Sequence, residues 1–264
     1  MSQPNLSYLQ TRRADYPGAE TLAAFWLTEP EAARAVSPAP LEPLELPLVM
    51  AFVARFREVS FGTPYLMGGL FMSCTYQSEV GTFVPNIVES DDLPVFMGRE
   101  VLGYPKKMGV LGLASSVDRA AGFIERRGVR LFDLQADLTR RVTEPAELQG
   151  MAGMGLSSPD GKAEVKETEG MNFLFKFAHA AEAGRMFEHR PKIVRQMTTM
   201  RTRSGSIGPF TAALGTSPSD SAWSRLPLRQ PLFALHSFSD NTMNPPSVVG
   251  EVEDEAASFP HSFH

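Results

Sequence analysis

Apolar positions along this chain fall mostly into short runs of strand length, separated by glycine, proline and polar clusters, and only once into a helical repeat. Pro47 to Arg57, Gly69 to Gln77 and Thr82 to Val88 are apolar and β-branched, each is bounded by turn residues, and they predict antiparallel strands. Gly109 to Ser115, Gly122 to Arg130, Leu131 to Thr139, Met171 to Phe177 and Ile193 to Thr202 continue the series. One clear helix is predicted over Glu29 to Val36. There Thr28-Glu29-Pro30-Glu31 has the form of a capping box with proline in the first turn, and Pro38 stops the element. Many short strands with turn punctuation favour a mainly β protein, closed or sandwich-like, with few helices.

Two stretches break the pattern. Residues 144 to 169 collect Gly, Ser, Lys and Glu around a Pro-Asp-Gly turn and read as a flap or surface excursion. From Gly250 the chain is acidic and then aromatic, either a frayed terminus or a segment that docks on a neighbouring subunit. A chain of 264 residues with 43% hydrophobic content fits a single domain over 1–264, with 1–18 and 250–264 as peripheral tails.

Charge and composition then exclude several classes. A formal net charge of -5 with no basic stripe argues against a nucleic-acid partner. No apolar run has the length to span a bilayer, and Met1 to Leu6 has neither a basic start nor an apolar stretch, so no membrane partner and a cytoplasmic location are expected. The single cysteine, Cys74, excludes an internal disulfide and reads as a small buried residue. His179, His189, His236, His261 and His264 form no metal-ligand motif, and no nucleotide-binding glycine loop occurs, so neither a metal nor a cofactor is expected.

The candidate chemistry lies in Gly98-Arg99-Glu100-Val101-Leu102-Gly103-Tyr104-Pro105-Lys106-Lys107-Met108-Gly109, where two lysines sit in largely apolar surroundings. An ammonium beside a second ammonium, or one moved out of water, disfavours its charged form, and the free amine attacks carbonyls. Paired lysines after a proline can equally be a solvated turn. This segment, a G-R-E followed by an aromatic-P-K-K, resembles the signature of the acetoacetate decarboxylase family. The likeness extends through Asp91-Asp92-Leu93-Pro94, Ala35 to Glu42, Asn172 to Phe177 and Leu226-Pro227-Leu228, so it covers roughly Glu20 to Val249.

The resemblance implies a conical, closed antiparallel β-barrel with a few peripheral helices, a homo-oligomer, and Lys106 as the Schiff-base lysine. Lys107, Glu100, Arg99 and Tyr104 become its supporting residues, with Glu100 placed to pair with Lys107. The pocket is expected to hold Tyr65, Met67, Ala51, Phe52, Tyr76 and Gln77, together with Met50 and Met97. The chain departs from the family where the carboxylate and the proton are handled. Ala19 stands in place of an arginine, and Ala51 and Met67 in place of two glutamates, with Glu20, Arg55 and Glu58 as possible substitutes. The expected partner is therefore a small carbonyl substrate, a β-keto acid larger and more apolar than acetoacetate. Superfamily members that lack the acid include aldolase-dehydratases acting on 2-oxo acids through the same lysine. That reading stays open, as does a non-catalytic barrel that binds an apolar ligand.

Overall fold

The computed structural model describes residues 13–140, 166–177 and 191–252. Strands β1 (Ala14–Leu27), β2 (Glu42–Pro43), β3 (Leu48–Phe56), β4 (Tyr65–Tyr76), β5 (Glu79–Glu89), β6 (Lys106–Met108), β10 (Lys166–Lys176), β11 (Lys192–Gly208), β13 (Gln230–Met243) and β14 (Ser247–Glu251) form one sheet. It closes on itself in the order β4, β3, β1, β13, β11, β10, β5 and back to β4, with β2, β6 and β14 attached outside that ring. A second sheet of β7 (Val110–Ser115), β8 (Arg119–Arg126), β9 (Val129–Asp137) and β12 (Phe210–Leu214) packs against the barrel wall. The closed, mainly β barrel agrees with expectation. Most pairings are antiparallel, but β5 runs parallel to both β10 and β6.

Strand β3 shows why the runs are apolar rather than alternating. Leu48, Met50, Phe52, Ala54 and Phe56 point into the barrel, while Val49, Ala51 and Val53 point out into a core shared with Ile124, Phe132 and Leu134 of the second sheet. With both faces covered, the period-two signal disappears, and the hydrophobic effect favours burial on either side.

Several boundaries differ from those read in the sequence. The break between β8 and β9 falls at Arg127-Gly128, both with positive φ (52° and 76°), and not at Arg130. A two-residue hairpin requires such dihedrals, and glycine adopts them freely. Helix α1 spans Pro30–Val36 with Glu29 as N-cap, but no side chain caps it, because the Thr28 hydroxyl donates to the Pro227 carbonyl instead. Two further helices, α2 (Asp92–Phe96) and α3 (Ala222–Arg225), went unread. Ala14 to Gly18 belong to β1 and Gly250 and Glu251 to β14, so neither tail begins where the sequence suggested. The excursion over 144–165 and the tail from 253 lie outside the described residues, whereas 166–169 open strand β10.

Candidate functional site

The barrel encloses a cavity of about 430 Å³. Its wall is mostly apolar along β1, β3 and β4, where Phe25, Met50, Phe52, Met67 and Phe71 meet it, and mixed along β13, where Ser237, Ser239 and Asn241 lie between Leu235 and Met243. Lys106 is the one lysine or arginine in that wall among the described residues, and it also lines a small cavity of about 40 Å³.

The G-R-E segment explains how Lys106 is held. Asp91 caps α2 by accepting from the Leu93 amide, and α2 passes into one π-helical turn, Met97–Leu102. This turn folds back on the lysine: the Tyr104 amide donates to the Gly98 carbonyl at 3.0 Å, and Lys176 Nζ donates to the Val101 carbonyl at 2.8 Å. A Cβ on Gly98 would collide with Lys106 Cδ and Cε and lie 2.8 Å from Nζ, so glycine at this position leaves room for the lysine side chain.

Lys106 is 5% exposed, and its Nζ donates to Glu89 Oε1 at 2.7 Å and more weakly to the Pro94 carbonyl at 3.4 Å. Glu89 is fully buried, and its second oxygen has no hydrogen-bond partner among the described residues. Burial raises the Glu89 pKa from its ordinary value against the pull of Lys106. Tyr65 and Tyr16 share a hydrogen bond beside this pair, and burial holds both phenols protonated. Tyr104 donates from its hydroxyl to Gln196 Oε1 at 2.8 Å and accepts from Asn172 Nδ2 at 3.0 Å, with Lys106 Nζ lying 5.5 Å from its ring centre. The arrangement brings a buried amine, a carboxyl able to take or return its proton, and protonated phenols to one end of an apolar chamber.

Other expected members lie elsewhere. Lys107 points out of the barrel, where its Nζ donates to the Ser219 carbonyl at 2.8 Å and to Asp220 Oδ1 at 3.0 Å. It does not pair with Glu100, because successive side chains on a strand point to opposite faces and both Arg99 and Glu100 are exposed on the π-helical turn. Ala51 faces the outer core for the same reason. Tyr76 packs on Phe173 outside the cavity, and the exposed Gln77 donates to the Tyr76 hydroxyl at the strand end. Tyr65, Met67, Phe52, Met50 and Tyr104 do line the cavity, whereas Met97 lines the smaller one.

The suggested substitutes for the missing polar groups are not in the cavity either. Glu20 and Arg55 bind each other at 2.8 Å on the outer face, where Glu20 also accepts from Ser115 at 2.6 Å and lies 3.3 Å from His236 Nε2. Burial opposes ionisation of Glu20, yet the hydrogen bonds from Ser115 and His236 outweigh it and lower the pKa. Glu58 is exposed beyond the end of β3. Cys74 is buried, with its thiol pushed up to about 12. The carboxyl that sequence reasoning missed is Glu89. It sits across from Met67 in the β4–β5 register, one strand over from where the resemblance placed an acid.

Among the described residues no group of His, Cys, Asp and Glu is arranged to hold a metal ion, and no helix is long and apolar enough to cross a membrane. A family model described as acetoacetate decarboxylase matches residues 3–252. The acetoacetate decarboxylase of Burkholderia vietnamiensis is 26% identical over 236 residues, covering 88% of this chain and 85% of that protein. The acetoacetate decarboxylase of Ralstonia nicotianae is 31% identical over 104 residues, covering 39% of this chain and 42% of that protein. Among solved structures, an acetoacetate decarboxylase-like enzyme from Sphingomonas wittichii superposes with a TM-score of 0.73 at 19% identity, covering 92% of this chain and 94% of that one. The enduracididine biosynthesis enzyme MppR, solved with the condensation product of pyruvate and imidazole 4-carboxaldehyde, gives a TM-score of 0.68 at 13% identity, covering 94% and 92%.

Proposed function

Because the chain belongs to the acetoacetate decarboxylase family, we propose that it is a carbon-carbon lyase in which Lys106 forms a Schiff base with a ketone bound in the barrel and Glu89 moves the protons. The observation that carries this reading is the buried contact of 2.7 Å between Lys106 Nζ and Glu89 Oε1 at the end of the cavity. Transfer of the Nζ proton to Glu89 leaves an amine that adds to the ketone carbonyl, and return of that proton lets the carbinolamine lose water as the iminium forms. In a β-keto acid the bond to the carboxylate then breaks, its electron pair moves to nitrogen, and carbon dioxide leaves an enamine. Protonation of the enamine carbon and addition of water release the ketone and restore the amine. Raised by burial, the Glu89 carboxyl suits both directions of transfer.

No cation besides Lys106 meets the cavity among the described residues, so a substrate carboxylate would have no arginine partner. A chamber of about 430 Å³ also falls in the size range of sites for drug-sized ligands. Both features support a substrate larger and more apolar than acetoacetate. The same volume supports a second reading, in which the enamine of a 2-oxo acid adds to an aldehyde held beside it and the product loses water, since two reactants fit. Borohydride reduction with acetoacetate, pyruvate and a larger β-keto acid in separate tubes, followed by peptide mass mapping, tests the shared step. The expected result is an adduct on Lys106, and absence of any adduct there would favour a binding protein instead. Release of carbon dioxide, against growth of a conjugated product in the ultraviolet, then separates the two enzymatic readings.

A further inference from the structure

The two walls of the cavity differ in chemistry. Along β1, β3 and β4 it is mostly hydrocarbon and thioether, with Phe25, Met50, Phe52, Met67 and Phe71, although Tyr16, Thr21, Tyr65 and Ser73 of the same strands also meet the cavity. Along β13 and the strands beside it runs a stripe of neutral oxygens. Ser237, Ser239 and Asn241 alternate inward on β13, which spaces them over about 13 Å from the first to the third. Thr21 lies beside Ser237 and Thr202 beside Ser239 in the sheet register, and all these side chains meet the cavity. Although buried, the hydroxyls of Ser237 and Ser239 have no side-chain hydrogen bond among the described residues, and neither has Thr202. Asn241 Oδ1 is buried without a partner. Its residue registers with Tyr16, which also lines the small cavity that Lys106 lines, so the stripe has one end on the lysine's side of the barrel.

Buried polar groups are ordinarily paired, and a row of unpaired ones facing a cavity marks where a ligand's hydrogen-bonding groups lie. Among the described residues, the one charged side chain at the wall besides Lys106 is Glu169, itself exposed. We propose that the cavity takes an amphipathic ketone whose chain is uncharged beyond the reacting carbonyl. Its hydrocarbon lies on the methionine and phenylalanine wall and its oxygen functions, hydroxyl or carbonyl, lie along the Ser237, Ser239 and Asn241 stripe. The proposal deepens the Schiff-base reading and rests on it only for placing the ketone carbonyl at Lys106. A second carboxylate remote from that carbonyl is excluded, because it would be buried with no cation among the described residues to meet it.

Three probes of equal length test this: 2-decanone, 9-hydroxydecan-2-one and 9-oxodecanoate. Binding is measured by calorimetry to the Lys106→Met protein, which cannot form an adduct, and borohydride trapping is measured on the unaltered protein. The hydroxyketone is expected to bind roughly tenfold tighter than 2-decanone, the order of one buried hydrogen bond. The carboxylate is expected to bind roughly a hundredfold more weakly than 2-decanone, as an unpaired buried charge requires. In the double variant Ser239→Ala/Thr202→Val, the hydroxyketone's advantage should vanish while 2-decanone binds as before or tighter. A carboxylate that binds as well as the neutral ketones, or a preference for the hydroxyketone that survives the double variant, would overturn the proposal. If the predicted binding ratios hold but nothing is trapped, the Schiff-base reading fails and this one stands. If acetoacetate is trapped on Lys106 while both neutral long ketones are excluded, the outcome is reversed.

Discussion

Two buried ion pairs, built from adjacent lysines, stand back to back across strand β6, and they differ in how completely they are satisfied. Outside the barrel, Asp220 accepts from Lys107 at 3.0 Å, Arg126 at 2.8 Å, Ser219 at 2.8 Å and Asn86 at 3.1 Å. Asn86 in turn accepts from the Trp223 indole, which stacks on Phe132 of the second sheet. Burial lowers the Lys107 pKa despite that carboxylate, while Asp220 itself, although burial opposes it, is held low by Lys107, Ser219 and Arg126. Inside the barrel, Glu89 has one partner and an unpaired oxygen among the described residues, and burial raises its pKa. A saturated pair fixes two sheets together and has no capacity left for chemistry. An unsaturated pair at a cavity wall can exchange its proton.

The sharpest break of this comparison is to remove each lysine. Lys106→Met should abolish adduct formation and lower turnover by at least ~10³-fold, as expected for loss of a covalent nucleophile. Lys107→Met should leave borohydride trapping on Lys106 intact at equal amounts of folded protein. If the lysine on the outer face were instead the activating charge, its loss would shift the pH dependence of trapping strongly, and a trapping profile against pH decides the matter.

The isosteric carboxyl changes come next. Asp220→Asn leaves Lys107 and Arg126 buried without their counter-charge and should cost about 3–5 kcal/mol by urea denaturation, with turnover per folded molecule little changed. Glu89→Gln should do the opposite. It is expected to lower turnover by about 10²-fold, the scale of general acid-base catalysis, while costing less than half the stability lost with Asp220→Asn. Equal stability losses in the two variants would show that the inner pair is merely another structural bridge.

Acid and base separate the two pairs in sign. Because the Asp220 pKa is lowered on folding, its contribution is present above the ordinary carboxylate range and is lost as pH falls through that range toward the folded value. Because the Glu89 pKa is raised, the folded state holds a proton that the unfolded state has released, so its contribution is present at low pH and is lost as pH rises through the folded value. Urea midpoints followed across pH should therefore show the gap between the unaltered protein and Asp220→Asn closing on acidification. The gap to Glu89→Gln should move the other way, and parallel curves would remove the distinction.

The closed β class was legible in the sequence, as was the run that carries Lys106, but the contact of Lys106 with Glu89 and the polar stripe on β13 were not. Local pattern sufficed for β3, β4 and β5, because both faces of each are covered and the runs are apolar. It did not reach β13, whose inward positions run Leu235, Ser237, Ser239, Asn241 and Met243, so that a polar middle interrupts the apolar face. Glu89 was missed because its place depends on register, facing Met67 across β4 and β5, one strand over from where the resemblance placed an acid. Lys107 was paired with Glu100 through the G-R-E resemblance, whereas its carboxylate partner, Asp220, is 113 residues away. Strand alternation alone would have predicted that two adjacent lysines on a strand part company.

The smallest effect concerns the glycine of the G-R-E segment. Gly98 does not need a positive φ; it needs the absence of a side chain, since a Cβ there would meet Lys106 along its Cδ, Cε and Nζ. The lysine is flexible at its far end, so Gly98→Ala should not unfold the protein but should push Nζ away from Glu89. The change lies on the π-helical turn at the edge of the fold, so a loss of less than about 1 kcal/mol is expected from backbone effects. Turnover should drop by about tenfold because a hydrogen-bonded proton path is lengthened. Expressed as kinetics, the loss should fall on kcat rather than KM, since the binding walls of the barrel are untouched. A change confined to KM would place Gly98 in substrate entry and detach the G-R-E turn from the positioning of Lys106.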